Sequence, residues 1–197
     1  MLRYCFILLL LFPVVSFGQS LDNEKSLLKK ERKIMLKKWK IVETAFQRRL
    51  DLLPQFEPLL KDAFPQSNQL LVDVLKAGDD AKLQQVDDFE SLENLDFYQI
   101  ISAQDSLFQC IENLYVACEE YPDIKAESAF IGLFANLFET DNDIYLATKE
   151  YDEAVTKYND VVEKYNEFIT SYNESAKQNE ESPEMMEVYL LYLHYNK

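Results

Sequence analysis

Between Phe130 and Tyr172, apolar or aromatic residues return at alternating steps of four and three. They are Phe130, Phe134, Leu137, Ile144, Tyr151, Val155, Tyr158, Val162, Tyr165, Ile169 and Tyr172, with Asp141 and Thr148 as the two polar interruptions. Such steps keep side chains on one stripe of an α-helix, and a stripe with a seven-residue period needs a partner helix to cover it. A strand, whose side chains alternate every two residues, cannot carry this pattern. The whole stretch is therefore committed to helix packed on helix.

The rest of the chain reads the same way. Leu27/Leu28, Ile34/Met35, Trp39, Val42, Phe46, Leu50 and Leu53 mark one face of a first helix over Leu21–Leu53, about 50 Å long at 1.5 Å per residue. Pro54 removes a backbone donor and ends or kinks that helix. A short broken helix follows among Pro54, Pro58 and Pro65, then another up to Ala77 with Gly78 as its C-cap, and then a polar connection over Asp79–Asp88. A third helix is expected from Phe89 to Tyr121, its face running through Leu92, Leu95, Tyr98/Gln99, Ser102, Leu107, Cys110, Ile111, Leu114 and Cys118. The fourth and longest is expected to start at Pro122, a favoured first-turn residue. Only three glycines occur, and no Asn-Gly or Asp-Gly hairpin signal separates the helices. The fold class is all-α: an elongated antiparallel four-helix bundle over residues 21–173, after an N-terminal signal or anchor segment.

That segment, residues 1–18, has one early cation, Arg3, an apolar run from Tyr4 to Val15, a helix-breaking Pro13, and small residues Ser16 and Gly18 ahead of a cleavage site between Gly18 and Gln19. Its apolar run is shorter than the roughly 20 residues that span a bilayer, which favours a removed export signal. Ten cations follow the run and one precedes it, the reverse of the usual topological bias, so an uncleaved anchor stays open. Either way the bundle is expected outside the cytoplasm. At the other end, residues 174–184 form a polar linker and 185–197, "MMEVYLLYLHYNK", an apolar and aromatic tail that either docks on the bundle or touches a membrane interface. Cys110 and Cys118, eight residues apart on one helix, lie about 12 Å apart and do not bridge each other.

The formal charge of −15 repels phosphate backbones and argues against nucleic acid as a partner. The charge is uneven, with Lys25, Lys29, Lys30, Arg32, Lys33, Lys37, Lys38, Lys40, Arg48 and Arg49 all on the first helix. This basic strip either faces acidic neighbours and solvent or rests on anionic lipid headgroups.

Three separated blocks carry a family resemblance. "YDEAVTKYN" resembles the motif of the LemA family, an aromatic-Asn unit repeated after seven residues with Ala-Val between. Tyr151, Ala154, Val155, Tyr158 and Asn159 match it, and Asp152 replaces the first Asn. "WKIVETAFQRRLDLLP" is similar to that family's first-helix signature through Trp39, Gln47, Arg48, Arg49, Asp51, Leu52 and Pro54. "YPDIKAESAF" matches through Tyr121, Pro122, Lys125, Ala126 and Phe130, followed by Leu133, Leu137, Thr140, Asn142, Ile144 and Ala147. The likeness covers residues 39–166. Where the family has Phe-Pro ending its last long helix this chain has Tyr165 and Asn166, so the helix is expected to continue, and the C-terminal tail does not match. The resemblance implies a membrane-associated, extracytoplasmic helical domain with no established reaction.

Familiar chemistries lack their residues. His194 alone cannot supply the paired histidines of a di-iron or zinc helix site, and glycine scarcity removes phosphate-cradling loops. "DNDIYLATKE" begins like a calcium loop but has Leu146 at the required glycine. No catalytic residue, metal, cofactor or small-molecule substrate is expected. The tyrosines Tyr151, Tyr158, Tyr165 and Tyr172 either fill the seam or line a groove for a partner's helix, and together with Arg48 and Arg49 they are the candidate partner-binding residues. The expected role is a non-catalytic interaction module for an envelope protein of unknown identity, with peripheral binding to an anionic membrane surface as the alternative.

Overall fold

In the computed structural model the backbone is described for residues 2–85 and 94–175, and the side chains for residues 21–85 and 98–171. The side chains of the N-terminal segment 1–18, with Cys5, those of the linker 174–184 and those of the tail 185–197 lie outside this description. Among the described residues the secondary structure is entirely helical. The elements are α1 (Leu2–Leu52), a 3₁₀ turn (Leu53–Gln55), α2 (Phe56–Leu60), α3 (Ser67–Leu83), α4 (Asn94–Ala117), a 3₁₀ turn (Cys118–Glu120), α5 (Pro122–Lys125) and α6 (Ser128–Ser175).

Several boundaries differ from the sequence reading. The backbone of α1 is helical through Pro13, so that proline does not break it. With 51 residues against 48 in α6, α1 is the longest described element. Leu83, not Ala77, closes α3, and Gly78 lies buried inside that helix instead of capping it. The polar run after Gly78 stays helical because Ala81 turns onto the core face and is 1% exposed. Ahead of α6, Pro122 opens only the single turn α5, after which the chain restarts at Ser128. As Tyr165 and Asn166 suggested, α6 continues to Ser175.

The chain divides into two compact units, one comprising Lys38–Tyr151 and the other the residues up to Lys37 together with those from Asp152 onward. In the Lys38–Tyr151 unit α1 and α6 run antiparallel, with Lys38 Nζ 2.6 Å from Glu150 and Arg48 Nη1 3.3 Å from Asp143. Leu53, Phe56, Leu60, Leu71, Val74, Leu107, Ile111, Leu114, Phe130, Phe134 and Leu137 form one continuous apolar core. The interior face of α4 runs Ile100, Gln104, Leu107, Ile111 and Leu114, and Cys118 at the start of the following 3₁₀ turn continues the regular alternation of four and three. Its start corrects the expected path through Tyr98 and Ser102, both of which are exposed. The apolar doublets of α1 also resolve: Leu28 and Met35 are buried, whereas Leu27 and Ile34 face out.

Aromatic rings brace the end of this unit where the short elements turn. Phe64 stacks on Tyr121 at 4.6 Å between centroids, and Phe134 touches Phe130 at 4.5 Å, Tyr115 at 4.9 Å and Phe56 at 5.6 Å. Between α2 and α3, Asp62 takes φ 61°, the left-handed region. An aspartate tolerates it through local hydrogen bonds: its N–H donates to Asn68 Oδ1 at 3.2 Å and Asn68 Nδ2 donates back to its carboxylate at 2.9 Å. Burial raises the Cys118 thiol to about 11, with Lys125 pulling the other way, and raises Cys110 with Asp73 as the second cause. Both thiols stay protonated at neutral pH and are poor nucleophiles.

A β-carbon at Gly78 would collide with Leu53 Cδ1. Because Leu53 is itself buried, it cannot swing away freely. The overpacking cost of ~1–3 kcal/mol outweighs the ~1 kcal/mol helix-propensity gain. Gly78→Ala is therefore expected to destabilise by about 1 kcal/mol in urea unfolding. In a Leu53→Ala background the same substitution is expected to turn neutral or stabilising, and an unchanged cost there would contradict the close approach.

Candidate functional site

The most distinctive polar arrangement lies within the Lys38–Tyr151 unit, where α1 turns Arg49 inward. Its side chain is 2% exposed. Nη2 donates to Asp141 Oδ1 on α6 at 2.9 Å, and Nη1 donates to the backbone carbonyl of Gln104 at 3.1 Å and to Gln104 Oε1 at 3.3 Å. The guanidinium carbon sits 5.1 Å from the centroid of the Phe108 ring. One arginine thus ties α1 to two helices, and a planar fork bonded on both edges has little freedom to change partners. A buried charge is tolerated only when paired and hydrogen-bonded, which explains both the polar break at Asp141 and a glutamine in the interior stripe of α4. The other polar break, Thr148, is satisfied locally: its hydroxyl donates back to the carbonyl of Ile144 at 2.8 Å.

Arg48, one position earlier, points the other way. Its side chain is 63% exposed and 3.3 Å from Asp143. It borders a cleft of about 270 Å³ between α1 and α6, lined by Ile41, Ala45, Leu146 and Ala147, with Asp143 and Glu150 at its edge. Ile41 and Leu146 are 43% and 49% exposed, so the cleft offers apolar contact beside charge. A second open cleft of about 380 Å³ runs past Trp39, Phe46, Gln47, Asp51, Gln85 and Ile100.

The tyrosines are core. Tyr151, Tyr158 and Tyr165 are 0%, 4% and 3% exposed, and the Tyr151 ring packs against Trp39 at 5.3 Å with the planes tilted by 56°. Partner binding through these three rings, one of the two readings of the sequence, is closed to them because they are spent on the seam; the side chain of Tyr172 lies outside the described residues. Arg49 likewise cannot meet a partner, since its side chain is buried and both Nη groups are engaged inside. Of the five candidates whose side chains are described, Arg48 is the one the structure leaves accessible. Gln104, Phe108 and Asp141 complete the buried cluster. Gln104 could have been found as a polar residue three before Leu107 and seven before Ile111, in register with the apolar stripe.

Among the described residues no group of three or more His, Cys, Asp or Glu side chains is placed to hold a metal ion. Asp141 and Asp143, the start of the calcium-like run, lie on α6 and are paired with Arg49 and Arg48. No helix among the described residues is long and apolar enough to cross a membrane.

The family model described as the LemA family matches residues 38–183. Among curated proteins none matches the sequence.

Two adjacent arginines therefore predict opposite outcomes. Arg49→Met leaves Asp141 and Gln104 without their partner and is expected to cost about 3 kcal/mol in urea unfolding, whereas Arg48→Met is expected to cost under about 1 kcal/mol. Equal losses would contradict the buried assignment.

Proposed function

The chain belongs to the LemA family, and on that premise we propose that it is a non-catalytic interaction module of the cell envelope, exported by its N-terminal segment and built as an antiparallel four-helix bundle. The observation that carries this reading is the division of labour between the two arginines. Arg49 is committed to the interior, while Arg48 stands at the rim of an apolar cleft with Ile41 and Leu146 part-exposed beside it. An apolar floor with a charged edge is suited to seating a helix or peptide of another protein. The polar groups that line it with the aliphatic side chains are already engaged, Asp143 with Arg48, Glu150 with Lys38 and the Thr44 hydroxyl with the Lys40 carbonyl, so docking and not bond making is the chemistry it favours.

Cross-linking and affinity purification of the mature chain from its native envelope is expected to recover a partner protein. Arg48→Glu is expected to abolish that recovery with helicity by circular dichroism unchanged, and retention of the partner would remove the cleft from the reading. The chain isolated from the envelope is expected to begin at Gln19; a mass that includes residues 1–18 would identify an uncleaved anchor instead.

A second reading has its own observation. Lys29, Lys30, Lys33 and Lys37 on α1 are all exposed, a strip suited to anionic headgroups. In that case the protein floats with phosphatidylglycerol-containing vesicles at low salt and is released at high salt. Absence from the floating fraction at both salt levels would end this reading.

A further inference from the structure

Where α4 meets α6 in the Lys38–Tyr151 unit, the outer surface carries an apolar file that lies outside the Arg48 cleft. On α6, Ile131, Phe138 and Tyr145 stand seven residues apart and are 57%, 41% and 42% exposed. On α4, Ile101, Phe108 and Tyr115 are half-buried and repeat at the same period. The two helices run antiparallel, since Arg49 reaches both Gln104 and Asp141 while Tyr115 meets Phe134 at 4.9 Å and Phe138 at 5.3 Å between ring centroids. Four residues after each member of the α4 file comes a carboxylate, Asp105, Glu112 and Glu119, all exposed. Residues four apart share a helix face, so these acids form a rim along one side of an aromatic seam. The seam already holds one ammonium: Lys125 Nζ lies 5.1 Å from the centroid of the Tyr115 ring and 3.5 Å from Glu119.

The same chain carries the complement. In the other unit α1 exposes Leu27 and Ile34, seven residues apart, and three residues after each comes an exposed lysine, Lys30 and Lys37. Both surfaces therefore repeat at about 10 Å, so a helix that seats one aliphatic residue in the seam also seats the next, and its lysines fall on the acidic rim. An apolar file one residue wide beside lysines suits the gap between two helices better than a lipid surface, which calls for a broad apolar face. The formal charge of −15 repels copies at a distance, but at physiological salt that repulsion is screened beyond about 8 Å, whereas opposite charges in contact are not. From the matched periods and opposite charges, we infer that the Leu27/Ile34 strip of one molecule docks on the α4–α6 aromatic seam of a second copy, with Lys30 and Lys37 meeting the rim of Asp105, Glu112 and Glu119. Each molecule offers one strip and one seam, so the contact is heterologous. Two turns of helix bury less than the ~800 Å² per partner of stable complexes, which sets the expected Kd at about 0.1 mM.

Sedimentation of the purified chain at physiological salt tests this. The weight-average mass is expected to rise above the monomer as concentration passes through about 0.1 mM. Lys30→Glu with Lys37→Glu is expected to hold the chain monomeric, and so is Glu112→Lys with Glu119→Lys, each with circular dichroism unchanged. Mixing these two variants in equal amounts is expected to restore association, because strip and seam then again carry opposite charge. Arg48→Glu is expected to leave self-association intact, so the outcome here and the outcome for the Arg48 cleft are read separately. A wild-type chain that stays monomeric up to about 1 mM overturns the inference, as do variants that associate like the wild type or a mixture that stays monomeric. A strip that serves only phosphatidylglycerol vesicles, with flotation lost in the Lys30→Glu, Lys37→Glu variant and no association of the wild type in solution, overturns it too.

Discussion

The heptad seam of α6 is the constraint on which the other elements depend. A 48-residue helix with apolar side chains at alternating steps of four and three is unstable in water until the stripe is covered, because isolated helices gain little from backbone hydrogen bonds alone. Each large side chain removed from water along it contributes about 1.5–3 kcal/mol, before the entropy of ordering is subtracted. That requirement selects what α1 and α4 must present. Both answer with stripes of the same period, Leu28 to Leu50 on one and Ile100 to Leu114 on the other.

Periodicity alone leaves helices free to slide by a heptad, and the polar cluster at Arg49 removes that freedom in the Lys38–Tyr151 unit. A seven-residue slip of α6 would set Phe134 or Thr148 opposite Arg49 in place of Asp141, leaving a buried charge without its carboxylate at a cost of several kcal/mol. Register is therefore specified electrostatically where hydrophobic packing is permissive, at some expense in absolute stability. The tyrosine seam adds a second discrimination, since rings as large as Tyr151 against Trp39 fill space that a shifted partner would leave empty or overfill.

Committing the tyrosines and Arg49 to the interior shifts function to the outer surface of the helices. What remains accessible is apolar contact at heptad positions just off the seam, edged by charge: Ile41 and Leu146 beside Arg48 in one unit, Leu27 and Ile34 beside lysines in the other. Surfaces of this kind bind other helices by extending the same packing that forms the bundle. Function and fold thus draw on one chemistry, which is why conventional site motifs are uninformative for this chain.

The sequence by itself determined the helical class, the α6 stripe from Phe130 to Ile169, the continuation of that helix past Tyr165, and the family, because each rests on period and local order along the chain. It misread Gly78 as a cap and Pro122 as the start of the long helix, since α3 is held helical past its glycine by packing against Leu53 and the chain restarts at Ser128 after a single turn. It ran the α4 stripe through Tyr98/Gln99 and Ser102 instead of Ile100 and Gln104 because a glutamine at an interior position looks wrong until its partner arginine is in view. Only the tertiary structure decided between Arg48 and Arg49. Neighbouring positions on a helix differ by about 100°, and which of two identical side chains faces the core depends on where Asp141, Gln104 and Phe108 arrive from distant parts of the chain.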